Sequence, residues 1–295
     1  MDGNGFPLVD THAHIFHPRL RATNDARYVP DYEARLDQYL NVLAINGMGR
    51  GVLVQPSFLG SDNSYLLAGL AVAPDTLRGV IVVATDDLRR ELSLERVRDL
   101  HESGVRGVRL NLVGRPVPDL LSAVWKAAGS VMAAEGWHLE IQASGQQWLD
   151  LAPALAEWPT KLVIDHLGLP QSGHPETAEA VLDLAGRNKT WVKVSAPYRS
   201  SYDQAAVMFS RLLEQGSPDR LVFGSDWPFT RHEENTYQEL LVWAQNLAGE
   251  EQLNRMMTIN PHTLLEWPEP SRNTTIASAL ESSVGTGRDV FSDVD

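Results

Sequence analysis

The chain has 295 residues, 43% of them apolar, which suits a single α/β barrel of about 250 residues with a sizeable core. A formal charge of −13 argues against a nucleic-acid surface, which needs clustered Lys and Arg, and against an anionic membrane partner. The absence of cysteine excludes disulfides, thiolate metal sites and cysteine nucleophiles. Because the sequence carries neither a signal-peptide pattern nor a run of about 18 apolar residues, we expect a cytoplasmic protein without a transmembrane helix.

Eight short apolar runs recur roughly every 25 to 45 residues, which is the spacing of a βα repeat. Nearly continuous apolar runs are typical of parallel strands that are buried on both faces. The predicted strands are Leu8–Asp10, Gly51–Gln55, Gly79–Val83, Gly107–Leu110, Leu139–Gln142, Leu162–Asp165, Trp191–Val194 and Leu221–Gly224.

Amphipathic segments between these runs predict helices. One follows Asp31, a second is predicted to bury Leu120, Val124, Ala127, Ala128 and Val131, and two more are Pro175–Leu184 and Ala205–Leu213. Eight strands that alternate with helices favour a closed (β/α)8 barrel over an open doubly wound sheet. We expect residues 1–267 to form this single domain. Residues 268–295 are rich in Ser, Thr, Gly and acidic residues, which predicts a flexible or surface-docked tail.

Polar side chains follow most of the predicted strands, and catalytic groups of such barrels lie at the carboxyl ends of the strands. In chain order these residues are His12 and His14, Ser57, Arg109, Asn111 and Arg115, Gln142, His166, Arg199, and Asp226. Singly, each has a simpler explanation: a histidine can be a hydrogen-bonded core group, Asp226 can cap a helix, and an arginine can pair with a surface carboxylate. Their convergence from at least six strands on one end of the barrel indicates a catalytic site.

Five motifs resemble the amidohydrolase superfamily and, more narrowly, its 2-pyrone-4,6-dicarboxylate lactonase group. They are Asp10–His14, Gly104–Asn111, Val163–Gly168, Val192–Ser195 and Gly224–Pro228, and the resemblance covers residues 6–267. It implies hydrolysis of a small anionic lactone, with Asp226 as general base, His166 at the lactone carbonyl, and His12 and His14 in the site. The implied substrate contacts are Tyr28, Ser57, Arg109, Arg115 and Arg199, beside Asn111 and Gln142 at the ends of strands four and five. The group carries a tyrosine where this chain has Gln142, which affects the identity of the substrate more than the reaction type.

The resemblance also bears on metal content. Binuclear amidohydrolases need a bridging Lys or Glu after strand four and a histidine after strand five, where this chain has Arg109 and Gln142. A single zinc could bind His12, His14 and Asp226, with His166 nearby. The lactonase group works without a divalent metal, so we expect no cofactor and direct attack by water that Asp226 activates.

Three alternatives remain open at this point. A zinc-dependent decarboxylase of the same superfamily would share the barrel and the final aspartate but would need bound metal. A sugar-lactone hydrolase or isomerase remains possible because of Gln142. A catalytically inactive binding barrel is the third, and the presence of His12, His14, His166 and Asp226 counts against it.

Overall fold

The structure, a computed structural model, describes residues 6–187 and 189–267. Eight parallel strands lie side by side in chain order in one sheet. They are β1 (Val9–Ala13), β2 (Arg50–Val54), β3 (Leu77–Ile81), β4 (Val105–Asn111), β5 (His138–Gln142), β6 (Lys161–Ile164), β7 (Thr190–Val194) and β8 (Leu221–Phe223). The predicted (β/α)8 barrel is therefore confirmed. The open doubly wound alternative is wrong, because such a sheet changes strand order at its centre.

At least one helix follows every strand and covers the outside of the sheet. The helices are α1 (Leu36–Ile45), α2 (Ser64–Val72), α3 (Leu88–Glu91), α4 (Leu94–Glu102), α5 (Ala123–Ala134), α6 (Gln147–Ala156), α7 (Pro175–Ala185), α8 (Tyr202–Gln215), α9 (Tyr237–Met257) and α10 (Ile259–Leu265). Their apolar faces and the outer face of the sheet form the main hydrophobic core.

The predicted apolar face of the helix after Pro118 is confirmed only in part: Ala128 is buried, and Val124 and Val131 are partly buried against the core. Helix α5 begins only at Ala123, so Leu120 lies in the preceding turn, and the buried helical positions include Trp125, Ala128 and Met132. The indole of Trp125 packs edge-on against Trp158, with ring centroids 6.4 Å apart. Burial of this large aromatic surface sets the rotation of the helix.

The barrel closes between β1 and the residues that follow β8. The backbone N–H of Asp226 donates to the carbonyl oxygen of His12 at 2.8 Å. The buried Asp10 carboxylate accepts the backbone N–H of Ser225 at 2.8 Å and the Ser225 hydroxyl at 2.6 Å. The hydrogen bonds that close the barrel therefore hold Asp226 directly beside the His12–His14 segment.

The opposite end of the barrel is plugged by the end of the described chain. The Trp267 ring packs under the guanidinium groups of Arg50 and Arg78, each of which lies 4.8 Å from the ring centroid. Arg50 is the first residue of β2, and Arg78 is the second residue of β3. Within residues 6–187 and 189–267, no helix has the length and apolar character needed to cross a membrane. The predicted tail, 268–295, lies outside the described residues.

Candidate active site

A cavity of about 300 Å³ opens at the carboxyl ends of the strands, a volume at the lower end of the range for small-molecule sites. The barrel brings most of the predicted site residues to this cavity. Nine of them line it: His14, Tyr28, Ser57, Arg109, Asn111, Gln142, His166, Arg199 and Asp226.

Two predicted residues do not line the cavity. His12 is fully buried beneath it, with its Nε2 atom 3.2 Å from Nε2 of His14. Arg115 lies away from the cavity, and its guanidinium pairs with Asp25 at 2.9 Å. The structure therefore does not bring Arg115 to the position that the resemblance implied for it.

Eight lining residues were not among the predicted site residues: Arg27, Pro56, Phe58, Val113, Leu169, Thr230, Arg231 and His232. Two of these lie close in sequence to predicted residues, since Arg27 precedes Tyr28 and Arg231 follows Asp226 by five positions. The signal that could have found Arg27 and Arg231 is their position in the loops after β1 and β8, because such loops form the active-site face of this fold.

Asp226 presents two different carboxylate oxygens. Its Oδ2 atom accepts hydrogen bonds from the Tyr198 hydroxyl at 2.8 Å and from Nε of Arg199 at 2.7 Å. Its Oδ1 atom is buried and accepts no hydrogen bond from the described residues. The backbone of Asp226 is left-handed, with φ of 62°, a strained conformation for a non-glycine residue. Asp226 is thus not a helix cap but an anchored carboxylate with one oxygen that accepts no hydrogen bond from the described residues.

The charges around Asp226 keep it ionised. Burial raises the pKa of Asp226, but opposing effects, of which the charge of Arg199 is the largest, outweigh burial and hold the pKa well below its usual value. Asp226 is therefore a carboxylate at neutral pH, which is the protonation state that a general base requires.

The hydrogen-bond partners of His12 and His14 define their tautomers. Nδ1 of His14 lies 2.7 Å from the Val54 carbonyl oxygen, which can only accept, so Nδ1 carries the proton and Nε2 has a lone pair. Nε2 of His12 donates to that lone pair at 3.2 Å. On its other side, His12 Nδ1 lies 3.0 Å from the Lys193 ammonium and 3.4 Å from Oδ1 of Asp165. Burial and the Lys193 charge hold the pKa of His12 well below its usual value, so this ring is neutral.

His166 is the histidine whose remaining N–H can face the cavity. Its Nδ1 atom lies 2.8 Å from the Ser195 hydroxyl, and its Nε2 atom lies 3.9 Å from Oδ1 of Asp226. When Ser195 donates to Nδ1, the proton of the neutral ring resides on Nε2. Burial lowers the pKa of His166 to about 4, although Asp226 and Asp165 oppose this shift.

The low pKa of His166 predicts a pH-dependent stability. The unfolded chain has a histidine pKa of about 6.5, so between pH 6.5 and 4 it binds more protons than the folded chain, and stability falls as the pH falls. For His166 alone, the free energy of unfolding should fall by about 2 kcal/mol between pH 7 and pH 5. Urea unfolding at both pH values should show this loss in the wild type and a correspondingly smaller loss in His166→Gln.

The control substitution for this experiment is His174→Gln, which removes an exposed histidine. The same pH-dependent loss in wild type and His166→Gln would contradict a neutral, buried His166. This comparison removes the contributions of the other buried histidines, because they are present in both proteins.

A network of buried charges lies under the cavity. The ammonium of Lys193 is 2.5 Å from Oε2 of Glu140 and 3.4 Å from Oδ1 of Asp165, and Nε of Arg109 is 2.9 Å from Oδ2 of Asp165. Two cations thus face two carboxylates, as buried charges require. Glu140 and Lys193 lie within predicted strands but were not among the predicted site residues. A charged residue within a strand that is buried on both faces was the signal that could have found them.

The positions of four side chains match those of a metal site. Nε2 of His12 and Nε2 of His14 each lie 3.6 Å from Oδ1 of Asp226, and His166 is nearby, so zinc-type donors converge. A histidine that binds a metal donates its other N–H to a carbonyl or a carboxylate. Nδ1 of His12 lies 3.0 Å from the Lys193 ammonium and 3.4 Å from Oδ1 of Asp165. Donation by Lys193 leaves the proton on Nε2, whereas donation to Asp165 leaves Nε2 free for a metal. The four side chains could therefore hold a zinc ion, and the tautomer of His12 decides whether its Nε2 atom can bind it.

Residues 9–267 match the sequence profile of the amidohydrolase family, which covers nearly the whole described chain. The chain belongs to the amidohydrolase family. This amidohydrolase is 27% identical to the 2-pyrone-4,6-dicarboxylate hydrolase of Comamonas testosteroni over 281 residues, which cover 88% of this chain and 90% of that protein. It is 30% identical to the D-galactarolactone isomerase of Agrobacterium fabrum over 239 residues, which cover 75% of this chain and 76% of the isomerase.

Solved structures support the same grouping. A Pseudomonas putida structure described as a 2-pyrone-4,6-dicarboxylic acid hydrolase superposes on this amidohydrolase with a TM-score of 0.79. The two are 36% identical, and the match covers 89% of this chain and 98% of the other. The resemblance to the lactonase group is therefore confirmed.

Proposed function

We propose that this amidohydrolase opens a small carboxylated lactone by direct attack of water, without a metal ion. The observation that carries the proposal is the geometry of Asp226. One carboxylate oxygen is anchored by Tyr198 and Arg199, and the other is buried without a hydrogen bond from the described residues, 3.9 Å from Nε2 of His166. A base and a hydrogen-bond donor thus lie next to each other among the residues that line the cavity.

The proposed reaction consumes one water and breaks the ring ester bond. The water oxygen attacks the lactone carbonyl carbon while its proton moves to Oδ1 of Asp226. The charge that develops on the carbonyl oxygen is stabilised by the Nε2–H of His166, and such a donor contributes about 3 kcal/mol in related oxyanion sites. When the intermediate collapses, the ring C–O bond breaks and the ring oxygen takes the proton from Asp226. The product is a hydroxy or keto acid, which ionises and releases one proton at neutral pH.

Two arginines are suited to orient a carboxylate of the substrate. Arg109 reaches the cavity from β4, and its Nη2 atom donates to Gln142 at 2.8 Å. Arg199 holds Asp226 from the other side of the cavity. A substrate carboxylate that binds Arg199 offsets the charge that lowers the pKa of Asp226, so Asp226 becomes a stronger base when the substrate is bound. Planar guanidinium groups pair with carboxylates through two parallel hydrogen bonds.

The metal-free part of the proposal is supported by the contact between Lys193 and His12. Lys193 lies 3.0 Å from His12 Nδ1, and this contact directs the other N–H of His12 toward His14. A zinc-dependent decarboxylase would need both histidines as ligands through these same Nε2 atoms. Asp226 would have to bind the metal as well, so it would not be available as a base for free water.

The experiment is an assay of metal-quantified, EDTA-treated protein against carboxylated pyrone, muconate and aldonate lactones, with proton release as the readout. We expect hydrolysis of at least one lactone with less than about 0.1 metal per chain and no increase on adding zinc. Turnover that appears only with zinc would overturn the metal-free mechanism. Absence of proton release from every lactone would overturn the hydrolase proposal.

A sugar lactone is the second candidate substrate, favoured by the neutral polar side chains that line the cavity. Ser57, Asn111 and Gln142 present hydroxyl and amide groups to the cavity, and such groups bind sugar hydroxyls. The aldonate lactones of the same assay test this candidate. Isomerisation would give a new lactone without proton release, which chromatography of the products would detect.

A further inference from the structure

The charges that line the cavity do not balance within it. Four arginines line the cavity, against a single carboxylate, Asp226. Two of these arginines have carboxylate partners: Arg109 pairs with Asp165 at 2.9 Å and Arg199 pairs with Asp226 at 2.7 Å. Those two guanidinium groups are therefore largely neutralised before any ligand binds.

The other two arginines, Arg27 and Arg231, have no such partner. Among the described residues, no carboxylate oxygen lies within 4.0 Å of the guanidinium nitrogens of either side chain. Arg27 donates to the amide oxygen of Asn111 at 3.4 Å, and the Arg231 guanidinium lies 6.0 Å from the centroid of the Tyr28 ring. Arg27 lies in the loop between β1 and α1, and Arg231 lies in the loop between β8 and α9. Both therefore reach the cavity mouth from neighbouring sides.

The nearest acidic side chain at the mouth is engaged elsewhere. Glu233 accepts hydrogen bonds from the hydroxyl groups of Tyr28 at 3.4 Å and Tyr32 at 3.0 Å, and from the backbone N–H of Arg231 at 2.7 Å. The side chain of Arg231 is thus free to bind an external group.

The mouth carries excess positive charge in a protein whose overall charge is −13. The pKa of Arg27 is lowered first by burial and then by the charges of Arg115, Arg231, Arg109 and Arg199. Mutual repulsion of this kind is relieved when an anion binds between the cations. The unpaired arginines are accordingly arranged to receive an anionic group.

Arg115 is the residue that the sequence indicated for this role, and its geometry argues against it. Its guanidinium is held by Asp25 at 2.9 Å and does not reach the cavity. Arg27 lies against the same loop, since a Cβ atom on Gly114 would come within 3.7 Å of Arg27 Cδ. Arg27 thus lines the part of the cavity mouth that Arg115 does not reach.

We propose that Arg27 and Arg231 form a second carboxylate subsite at the cavity mouth, separate from Arg109 and Arg199 at its base. A ligand with two carboxylates binds both pairs, and a ligand with one carboxylate binds only the inner pair. That the ligand is a lactone rests on the function proposed above, whereas the subsite itself does not. The enzyme should then select lactones that carry a carboxylate on the side remote from the reacting carbonyl.

The test measures binding without turnover. Glutarate and valerate have five carbons each and differ by one carboxylate, and isothermal titration gives Kd for both. We expect the wild type to bind glutarate at least tenfold more tightly than valerate. The double variant Arg27→Gln/Arg231→Gln should weaken glutarate binding about tenfold, the equivalent of 1.4 kcal/mol, and change valerate binding less than twofold.

Two further variants complete this experiment. Arg211→Gln removes an equal charge at the Glu179 pair on the surface, and it should leave both Kd values unchanged. Arg115→Gln should change glutarate binding less than twofold. Equal weakening of glutarate and valerate in the double variant, a wild type that does not prefer glutarate, or loss of glutarate binding in Arg115→Gln would each overturn the subsite.

Failure of the proposed function would look different. If no lactone is hydrolysed, the glutarate preference and its loss in Arg27→Gln/Arg231→Gln remain measurable. If a dicarboxylated lactone is hydrolysed, the double variant should raise its KM about tenfold and leave kcat within twofold of the wild type.

Discussion

Asp226→Asn should lower kcat for lactone hydrolysis about a thousandfold while the protein stays folded, because the loss of a general base costs about 10²- to 10⁴-fold. Asparagine has nearly the same shape as aspartate. Its amide oxygen can accept the two hydrogen bonds that Tyr198 and Arg199 donate to Oδ2. The amide nitrogen then takes the place of Oδ1, and it cannot accept a proton from water. The measurement is kcat from proton release, with circular dichroism and thermal unfolding to verify the fold.

The control is Asp119→Asn, which makes the same chemical change at an exposed position. It should leave kcat unchanged. Glutarate titration of Asp226→Asn should still give measurable binding, because Arg27, Arg109 and Arg231 remain in place. A residual kcat above a few per cent of the wild type would reject Asp226 as the base.

Lys193→Met should produce the second large effect, a loss of both stability and activity. Removal of this ammonium leaves Glu140 buried without the partner that lies 2.5 Å away, and breaking a buried pair costs about 3 to 5 kcal/mol. It also removes the donor to His12 Nδ1, so His12 is free to adopt the other tautomer. The hydrogen bond from His12 to His14 is then lost, and we expect kcat to fall about a hundredfold.

A double variant separates the two roles of Lys193. Lys193→Met/Glu140→Gln removes both charges and should restore most of the free energy of unfolding, whereas kcat should stay low. Nitrogen-15 spectra of labelled histidine should show the proton of His12 on Nε2 in the wild type and redistributed in the double variant. Recovery of wild-type kcat in the double variant would assign Lys193 a purely structural role.

Lys161→Met is the matched control for this lysine. Lys161 pairs with Glu266 at 2.5 Å, the same separation as the buried pair, but at the partly exposed edge of the barrel. Exposed pairs contribute about 0 to 1 kcal/mol, so this variant should lose little stability and no activity. The difference in stability loss between the two lysine variants measures how burial changes the contribution of a Lys–Glu ion pair.

The sequence predicted the architecture well because the signals for it are local. Each strand is a short apolar run, and each run is bounded by residues that form turns, so the eight strands could be located to within a few positions. The sequence was less informative about helix rotation. In α5 the burial of Trp125 displaced the expected face, because the fit of a side chain against a neighbouring element is a property of the packed structure.

The candidate site was predicted in outline for a similar reason. A residue that directly ends a strand has its place in the barrel set by the backbone, and His14, Arg109, His166 and Asp226 all reach the cavity as predicted. Their roles as acid, base and substrate contacts stay predictions until the variants described above are measured.

The sequence by itself determined the (β/α)8 barrel, the family and the set of polar groups at the strand ends, because strand alternation and strand position are local features of the chain. The tertiary structure alone decided which arginines face the cavity, which oxygen of Asp226 is unbonded and which charged groups contact His12. Asp25 pairs with Arg115 away from the cavity, while Lys193, 181 positions from His12 in sequence, contacts its Nδ1 atom. These outcomes depend on side chains that meet only after the barrel has closed.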